Sequence, residues 1–387
     1  MKADAIPLIM GVIVFVSSLV SLKLGFSVAI VEIILGAVAG NLGLKPEEWM
    51  IYLAGFGGIV LTFLAGTEID TRLMRDKFKA SFLIGILSFF VPFAAVFLYA
   101  YHVAGWNYRA SLIAGTALST TSLAVVYSVL VETGLSKTAI GKLLMSSTFI
   151  TDMGTALALS VLFVKPTLYT LIFISVSLNV IYLADKLSHR VFMNPLIKNK
   201  VIEPEIKYVF LLLLTFMFFA NLGEGHAVLP AFALGLLMSR HFQDTSESRV
   251  VRNRLRTVAY AIITPIFFIV GGMKISLPLI VSAIGLFAVF FFIKIAAKFL
   301  GVFFLAKRLI PQGRMYTALL MSTGLTFGTI SSLFGLNSGF INQVQYSVLV
   351  GVVVASAVIP TFIAQKWFRP VHSEDIVENG SINGQNE

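Results

Sequence analysis

Gly115-Thr-Ala-Leu-Ser-Thr-Thr-Ser122 and Ser322-Thr-Gly-Leu-Thr-Phe-Gly-Thr-Ile-Ser-Ser332 decide the reading of this chain. Each interrupts an apolar run of membrane-spanning length, 110–132 and 315–334, with small and hydroxyl-bearing residues. Such residues allow helices to pack closely in a membrane. They also allow a helix to unwind, which frees backbone carbonyls and half-helix ends that can meet an ion. Interrupted spans at matching places in two halves of a chain are a pointer to a binding site.

The rest of the chain has the same apolar character. Of its 387 residues 57 % are hydrophobic and only 12 % charged, and the mean hydropathy is +0.91. Soluble domains carry roughly 25 % charged residues, so a water-soluble core-and-surface arrangement is excluded and the solvent is lipid. Apolar runs fall at 6–22, 27–44, 51–67, 80–103, 110–132, 139–164, 166–184, 205–222, 226–239, 257–272, 277–305, 315–334 and 345–367. About 20 residues cross a bilayer core. The eleventh run is long and is expected to tilt or protrude. The first, preceded by Lys2, has a signal-peptide character but no A-x-A-like cleavage site, and reads as a first span. Residues 371–387 form a short polar tail with the composition of a disordered segment.

Thirteen spans give a consistent orientation. They place 22 Lys and Arg residues on one side and 5 on the other, with Lys294 and Lys298 inside the eleventh run. The positive-inside rule then sets the carboxyl terminus in the cytoplasm and the amino terminus outside. It also accounts for the net charge of +10: these bases sit beside anionic lipid, which removes nucleic acid as a partner. Thirteen parses as six, one and six: an all-α polytopic membrane protein of two inverted repeats, about 6–164 and 205–367, joined by a linker helix at about 166–184. The broken spans are the fifth of each half.

Charges inside the membrane are costly and mark function by default. Asp152 stands near the middle of the sixth run, with Thr148, Thr151 and Thr155 at helical spacings on its face. A carboxylate on a hydroxyl-lined face can hold a dehydrated monovalent cation such as Na+, and the same carboxylate can take a proton. One group serving both gives competition, and competition with alternating access gives exchange. Lys298 and Lys294 are one helical turn apart; one is placed to neutralise the empty carboxylate, and one is expected to snorkel toward the basic side. Glu32 opens Glu32-Ile-Ile-Leu-Gly36-Ala-Val-Ala-Gly40, a G-x-x-x-G packing face, and Glu68 closes Leu64-Ala-Gly-Thr-Glu68. For both, a structural role and a place on the ion route stay open. Arg109, His102 and His226 receive no role.

Catalytic signatures are absent: no H-E-x-x-H, phosphate loop or nucleophile elbow stands in a suitable context. An intramembrane aspartyl protease needs two membrane aspartates. The chain has no cysteine, which excludes disulfides, iron–sulfur clusters and thiolate metal sites. No enzyme activity and no resident cofactor are expected, only transported Na+ and H+.

Several motifs together resemble the monovalent cation:proton antiporters of the second cation:proton antiporter family, prokaryotic Na+/H+ exchanger type. They are Val28 to Gly40 with Glu32, Phe63-Leu-Ala-Gly-Thr-Glu-Ile-Asp70, Leu118-Ser-Thr-Thr-Ser-Leu-Ala-Val-Val126, Phe149-Ile-Thr-Asp152, Pro265 to Ser276, and Lys298-Phe-Leu-Gly301. The resemblance runs to about Arg369. It implies thirteen helices in inverted repeats, two crossed discontinuous helices, a mobile core moving against a dimerisation domain, and a homodimer in the cell membrane. It further implies that Asp152 carries cation and proton, that Lys298 faces it, and that Thr120, Thr121 and Thr326 lie at the crossing. Electrogenic members usually carry two adjacent carboxylates, whereas here the pair is Thr151-Asp152, which points to one cation per proton. The alternative reading is a K+/H+ antiporter or K+ efflux protein of the same superfamily. A ligand-gated efflux system is disfavoured, because only the short tail follows the last span. A receptor or scaffold without transport, or a bile-acid-type solute carrier of related fold, has less support.

Overall fold

The computed structural model describes residues 5–24, 27–67, 78–135, 138–163, 167–193, 202–222, 227–243, 246–310 and 313–370. Glu68, His226 and the 371–387 tail lie outside the described residues. A backbone in lipid has no water to bond and must close its own hydrogen bonds, and every span here is helical. In chain order the helices are α1 (Ala5–Leu24), α2 (Val28–Asn41), α3 (Glu48–Thr67), α4 (Phe78–His102), α5 (Tyr108–Ser119), α6 (Leu123–Glu132), α7 (Ala139–Leu162), α8 (Leu168–Met193) and α9 (Pro204–Leu222). They continue with α10 (Val228–Gln243), α11 (Ser246–Val258), α12 (Thr264–Met273), α13 (Leu277–Ser282), α14 (Ile284–Leu309), α15 (Arg314–Met321), α16 (Thr326–Asn337) and α17 (Gln343–Trp367).

Among the described residues, ten helical stretches are long and apolar enough to cross a membrane. The shorter apolar helices Val28–Asn41 and Val228–Ser239, and the broken pair α5–α6, account for the other three runs. Three boundaries differ from the hydropathy reading. The linker helix continues to Met193, because its last turns, Asp185 to Arg190, are polar and drop out of an apolar window. The tenth run starts eleven residues early, at Ser246. Its first part, α11, buries Val251 and Leu255 while Arg254 pairs with Glu203 at 2.7 Å, so a polar sequence is held by one apolar stripe. A π-turn at Ala259–Ile263 joins it to α12. The long eleventh run breaks at Ala283 into α13 and α14.

Two groups of helices divide the molecule. In one, α2 packs on α12 and α3 on α10. Both contacts are backbone on backbone. A methyl group at Gly36 would fall on the Ile269 carbonyl, one at Gly40 on the Met273 carbonyl, and one at Gly272 on the Ile33 carbonyl. Gly66 and Gly235 play the same part between α3 and α10. The G-x-x-x-G read at Gly36 and Gly40 is therefore a packing seam. In the other group α4 packs on α5, α7 and α14, α5 on α16, and α14 on α15 and α17. At one end of the bundle polar bonds tie the groups together. Lys274 donates from Nζ to Asn337 Oδ1 at 2.8 Å, Tyr346 donates from its hydroxyl to the Gly271 carbonyl at 2.6 Å, and the Ser276 amide donates to Ser347 Oγ at 2.9 Å.

The glycine seam carries a stability prediction. Gly36→Ala forces a methyl into the Ile269 backbone and should cost roughly 1–3 kcal/mol, read as a lower unfolding temperature of the detergent-purified protein. Gly11→Ala in α1, where nothing lies within 4 Å of the added atom, should leave that temperature unchanged or raise it.

Candidate functional site

The two stretches rich in Ser, Thr and Gly break their helices where they meet. At the first break α5 ends at Ser119, Thr120 turns to extended backbone (φ −69°, ψ 154°), and α6 begins at Leu123. At the second, α15 ends at Met321, Leu325 leaves helical geometry (φ −148°, ψ −76°), and α16 begins at Thr326. Hydroxyls bonding back to the preceding turn compete with the helix ladder. Ser119 donates to the Thr116 carbonyl at 3.0 Å, and Thr323 to the Leu320 carbonyl at 2.8 Å. The breaks then touch. Thr121 Oγ1 donates to the Met321 carbonyl at 2.8 Å, across 200 residues of chain. A methyl group at Gly324 would stand 3.2 Å from both the carbonyl oxygen and Oγ1 of Thr120. Half-helix ends of both signs gather here: the positive amino ends of α6 and α16 and the negative carboxyl ends of α5 and α15.

The α7 helix runs beside this crossing. Thr148 Oγ1 reaches Met321 Sδ at 3.6 Å, so the hydroxyl face read from the sequence is turned to the second break. Thr151 donates its hydroxyl proton to the Thr148 carbonyl at 2.6 Å, and Thr155 to the Thr151 carbonyl at 3.0 Å. With their protons so placed, the hydroxyl oxygens keep lone pairs to offer as ligands. Asp152 is buried among them at 3 % exposure.

Both lysines of α14 enter the crossing. Each is fully buried, at 0 % exposure, so neither snorkels: the breaks offer carbonyl and hydroxyl acceptors nearer than the membrane surface. Lys298 donates to Thr121 Oγ1 at 2.7 Å and to Ser88 Oγ at 3.1 Å. The charges of Lys294 and Asp152 both act on it. Lys294 donates instead to the Leu118 carbonyl at 3.1 Å. Thr326, half-buried, is the first residue of α16 after the break. Glu32 is buried at 2 % in α2, a helix that packs on α1 and α12 and belongs to the other group.

Two residues of the crossing were not picked out in the sequence. Ser88 lies four residues before Pro92, inside α4. Pro92 has no amide hydrogen for the Ser88 carbonyl, and a serine one turn before a mid-span proline is a signal that could have been read. Gly324 stood in the quoted stretch, but its neighbours come from helices far away in sequence.

A cavity of about 270 Å3 opens between the two groups, lined by Gly58, Met217, Asn221, Phe267, Ile330 and Asn337 among others. Nearby, Phe232 of α10 stacks on Phe149 of α7, with ring centres 5.5 Å apart, and meets Phe327 of α16 edge-on at 6.2 Å.

The chain is similar to known proteins. The family described as "Sodium/hydrogen exchanger, transmembrane" matches residues 11–369. The chain is 27 % identical over 359 residues to "Probable Na(+)/H(+) antiporter 3" of Methanocaldococcus jannaschii, covering 88 % of this chain and 90 % of that one. It is 24 % identical over 385 residues to "Na(+)/H(+) antiporter" of Enterococcus hirae, covering 92 % and 96 %. The solved structure of the sodium proton antiporter MjNhaP1 from Methanocaldococcus jannaschii at pH 8 superposes with a TM-score of 0.70 at 15 % identity. That superposition covers 95 % of this chain and 100 % of MjNhaP1, and shows a common fold. The chain belongs to the transmembrane sodium/hydrogen exchanger family.

Proposed function

We propose that this chain exchanges Na+ (or Li+) for H+ across the cell membrane by alternating access, with Asp152 binding cation and proton in turn. The observation that carries the reading is a single buried carboxylate on a hydroxyl-lined helix, beside two crossed breaks, with Lys298 held at the crossing. Na+ is a hard cation and takes oxygen ligands. Asp152 supplies the charge. Thr151, Thr120 and Thr121 supply hydroxyl oxygens, and Thr326 stands at the rim. A cation and a proton cannot occupy one carboxylate together, so loading one releases the other. When Asp152 is empty, the Lys298 ammonium balances it; when Na+ is bound, Lys298 withdraws from the carboxylate. With one carboxylate the count is one cation per proton.

The movement needed is a displacement of the core, α4–α7 with α14–α17, against a panel of α1–α3 and α9–α12. The reciprocal pairing of α2 with α12 and α3 with α10 supports two inverted repeats, about 6–164 and 205–367, since a pseudo-two-fold axis exchanges those pairs. The linker helix joins them. The amino terminus is outside and the carboxyl terminus cytoplasmic, as the distribution of Lys and Arg favours. The cavity then opens outward. A homodimer formed through the panel is part of the same reading, and Glu68 stays a candidate on the ion route.

Proton movement in purified proteoliposomes with a preset pH gradient tests this. Na+ and Li+ should dissipate the gradient with wild type and not with Asp152→Asn, which lacks the one group that carries the cargo. Dissipation by K+ alone would replace the substrate with K+; activity of Asp152→Asn would remove the site. With the potential clamped, one-for-one exchange should show no voltage dependence. A variant of the crossing gives a separate check. Thr121→Val strips Lys298 of an acceptor and the Met321 carbonyl of its donor. It should destabilise the protein by roughly 2–4 kcal/mol and abolish exchange, whereas Thr121→Ser should restore both.

A further inference from the structure

Lys294 has no part in the exchange as described, yet it is fully buried in the middle of the bundle. Its Nζ donates to the carbonyl of Leu118, in the last turn of α5. The last four carbonyls of a helix have no partner within it, and they form the negative end of its dipole, about half an elementary charge. Lys294 is therefore a carboxyl-end cap on a half-helix that stops inside the membrane. The second break is shaped around the same ammonium. A methyl group at Gly324 would lie 2.5 Å from Lys294 Nζ, so only a residue without a side chain leaves the ammonium its place. One turn on, Lys298 bonds the hydroxyls of Thr121 and Ser88. The two lysines hold successive points of the same crossing.

We infer that Lys294 is a positioning residue: by capping α5 it relieves Lys298 of that task and leaves Lys298 free to move between the crossing and Asp152. This rests on the assignment of Asp152 and Lys298 above. Without Lys294, the negative end of α5 has one ammonium left within reach, and Lys298 is drawn to it. Among the described residues, the helices packed on α14 offer no other cation at the crossing. Of the helices packed on α14, α13 has no ionisable residue. In α4, Lys79 and His102 stand at the ends, Tyr99 lies edge-on against Phe290 and Tyr101 stacks on Phe97. In α5, Tyr108 and Arg109 open the helix. In α15, Arg314 opens the helix and the Tyr316 hydroxyl meets Thr133. In α17, Tyr346 bonds Gly271 and Lys366 closes the helix. Asp152 of α7 and Lys294 itself are the charges that act on Lys298.

The test is the pH dependence of Na+-driven exchange in proteoliposomes, with wild type, Asp152→Asn, Lys294→Gln, Lys294→Arg and Gly324→Ala. With the cap lost, Lys298 is drawn to the negative end of α5 and away from Asp152, so Lys294→Gln should move the half-maximal pH upward by about 0.5–1 unit. Lys294→Arg keeps the charge and should keep the midpoint. Gly324→Ala places its methyl on the ammonium and should move the midpoint the same way as Lys294→Gln; it decides the matter if the glutamine variant does not fold. In a Lys298→Gln background any remaining exchange should show no shift on adding Lys294→Gln. A uniform loss of rate with an unmoved midpoint, or a shift that persists without Lys298, overturns the inference. If Asp152→Asn still exchanges, the underlying site assignment has failed instead, and the two failures are distinguishable.

Discussion

A backbone that leaves its helix in the middle of a membrane must find partners for the groups it uncovers. Water is not there to supply them, and each unmet group costs several kcal/mol in hydrocarbon. Much of the middle of this molecule answers that requirement. Thr121 bonds the carbonyl at the end of α15, Lys294 bonds the carbonyl near the end of α5, and Lys298 is held by the hydroxyl that bridges the two breaks. The same uncovered groups make a cation welcome. Under the proposed function the feature most expensive to build is also the one that binds the cargo, and both lysines bond to it.

The surrounding helices divide according to how close they approach. Where glycine replaces side chains, as at Gly36, Gly40, Gly66, Gly235 and Gly272, backbones touch and nothing lies between them to rotate or slide. That panel is suited to stay still. Around the broken helices the contacts include large rings, among them Phe149, Phe232 and Phe327 across the divide. Ring pairs have two favourable geometries, stacked and edge-on, and can be remade in either after a shift. Rigid seams within the panel and remakeable contacts across the divide are what two bodies in relative motion need.

Much of this could be read from residues alone, because lipid makes composition speak directly. The apolar runs mark the spans, Gly115–Ser122 and Ser322–Ser332 mark the breaks, and Asp152 stands out as a charge with no apolar excuse. What stayed hidden depended on groups meeting from distant helices. The partners of Lys298 are 177 and 210 residues away, and no local pattern sets which of two lysines one turn apart meets a hydroxyl and which a carbonyl. The early start of the tenth span was invisible for another reason. Polar residues at a membrane surface look like a loop to a hydropathy window, even where a stripe such as Val251 and Leu255 keeps them helical. The long eleventh run misled in the opposite sense, since Ala283 gives no warning of a break.

Under the proposed exchange, the cavity that reaches Phe267 and Ile330 has an electrical consequence. Water conducts, so the potential of the adjoining solution extends to the bottom of a wet funnel, and the full membrane voltage falls across the thinner wall of protein that remains. The local field there is correspondingly steeper. A charge carried through that wall performs the whole electrical work, about 2.3 kcal/mol per elementary charge at 100 mV, while travelling a fraction of the bilayer's thickness. A short stroke is thereby enough to carry an ion between two solutions. Under one-for-one exchange the Na+ and the proton cross the same wall in opposite directions, so their electrical work cancels and the cycle is driven by concentrations alone.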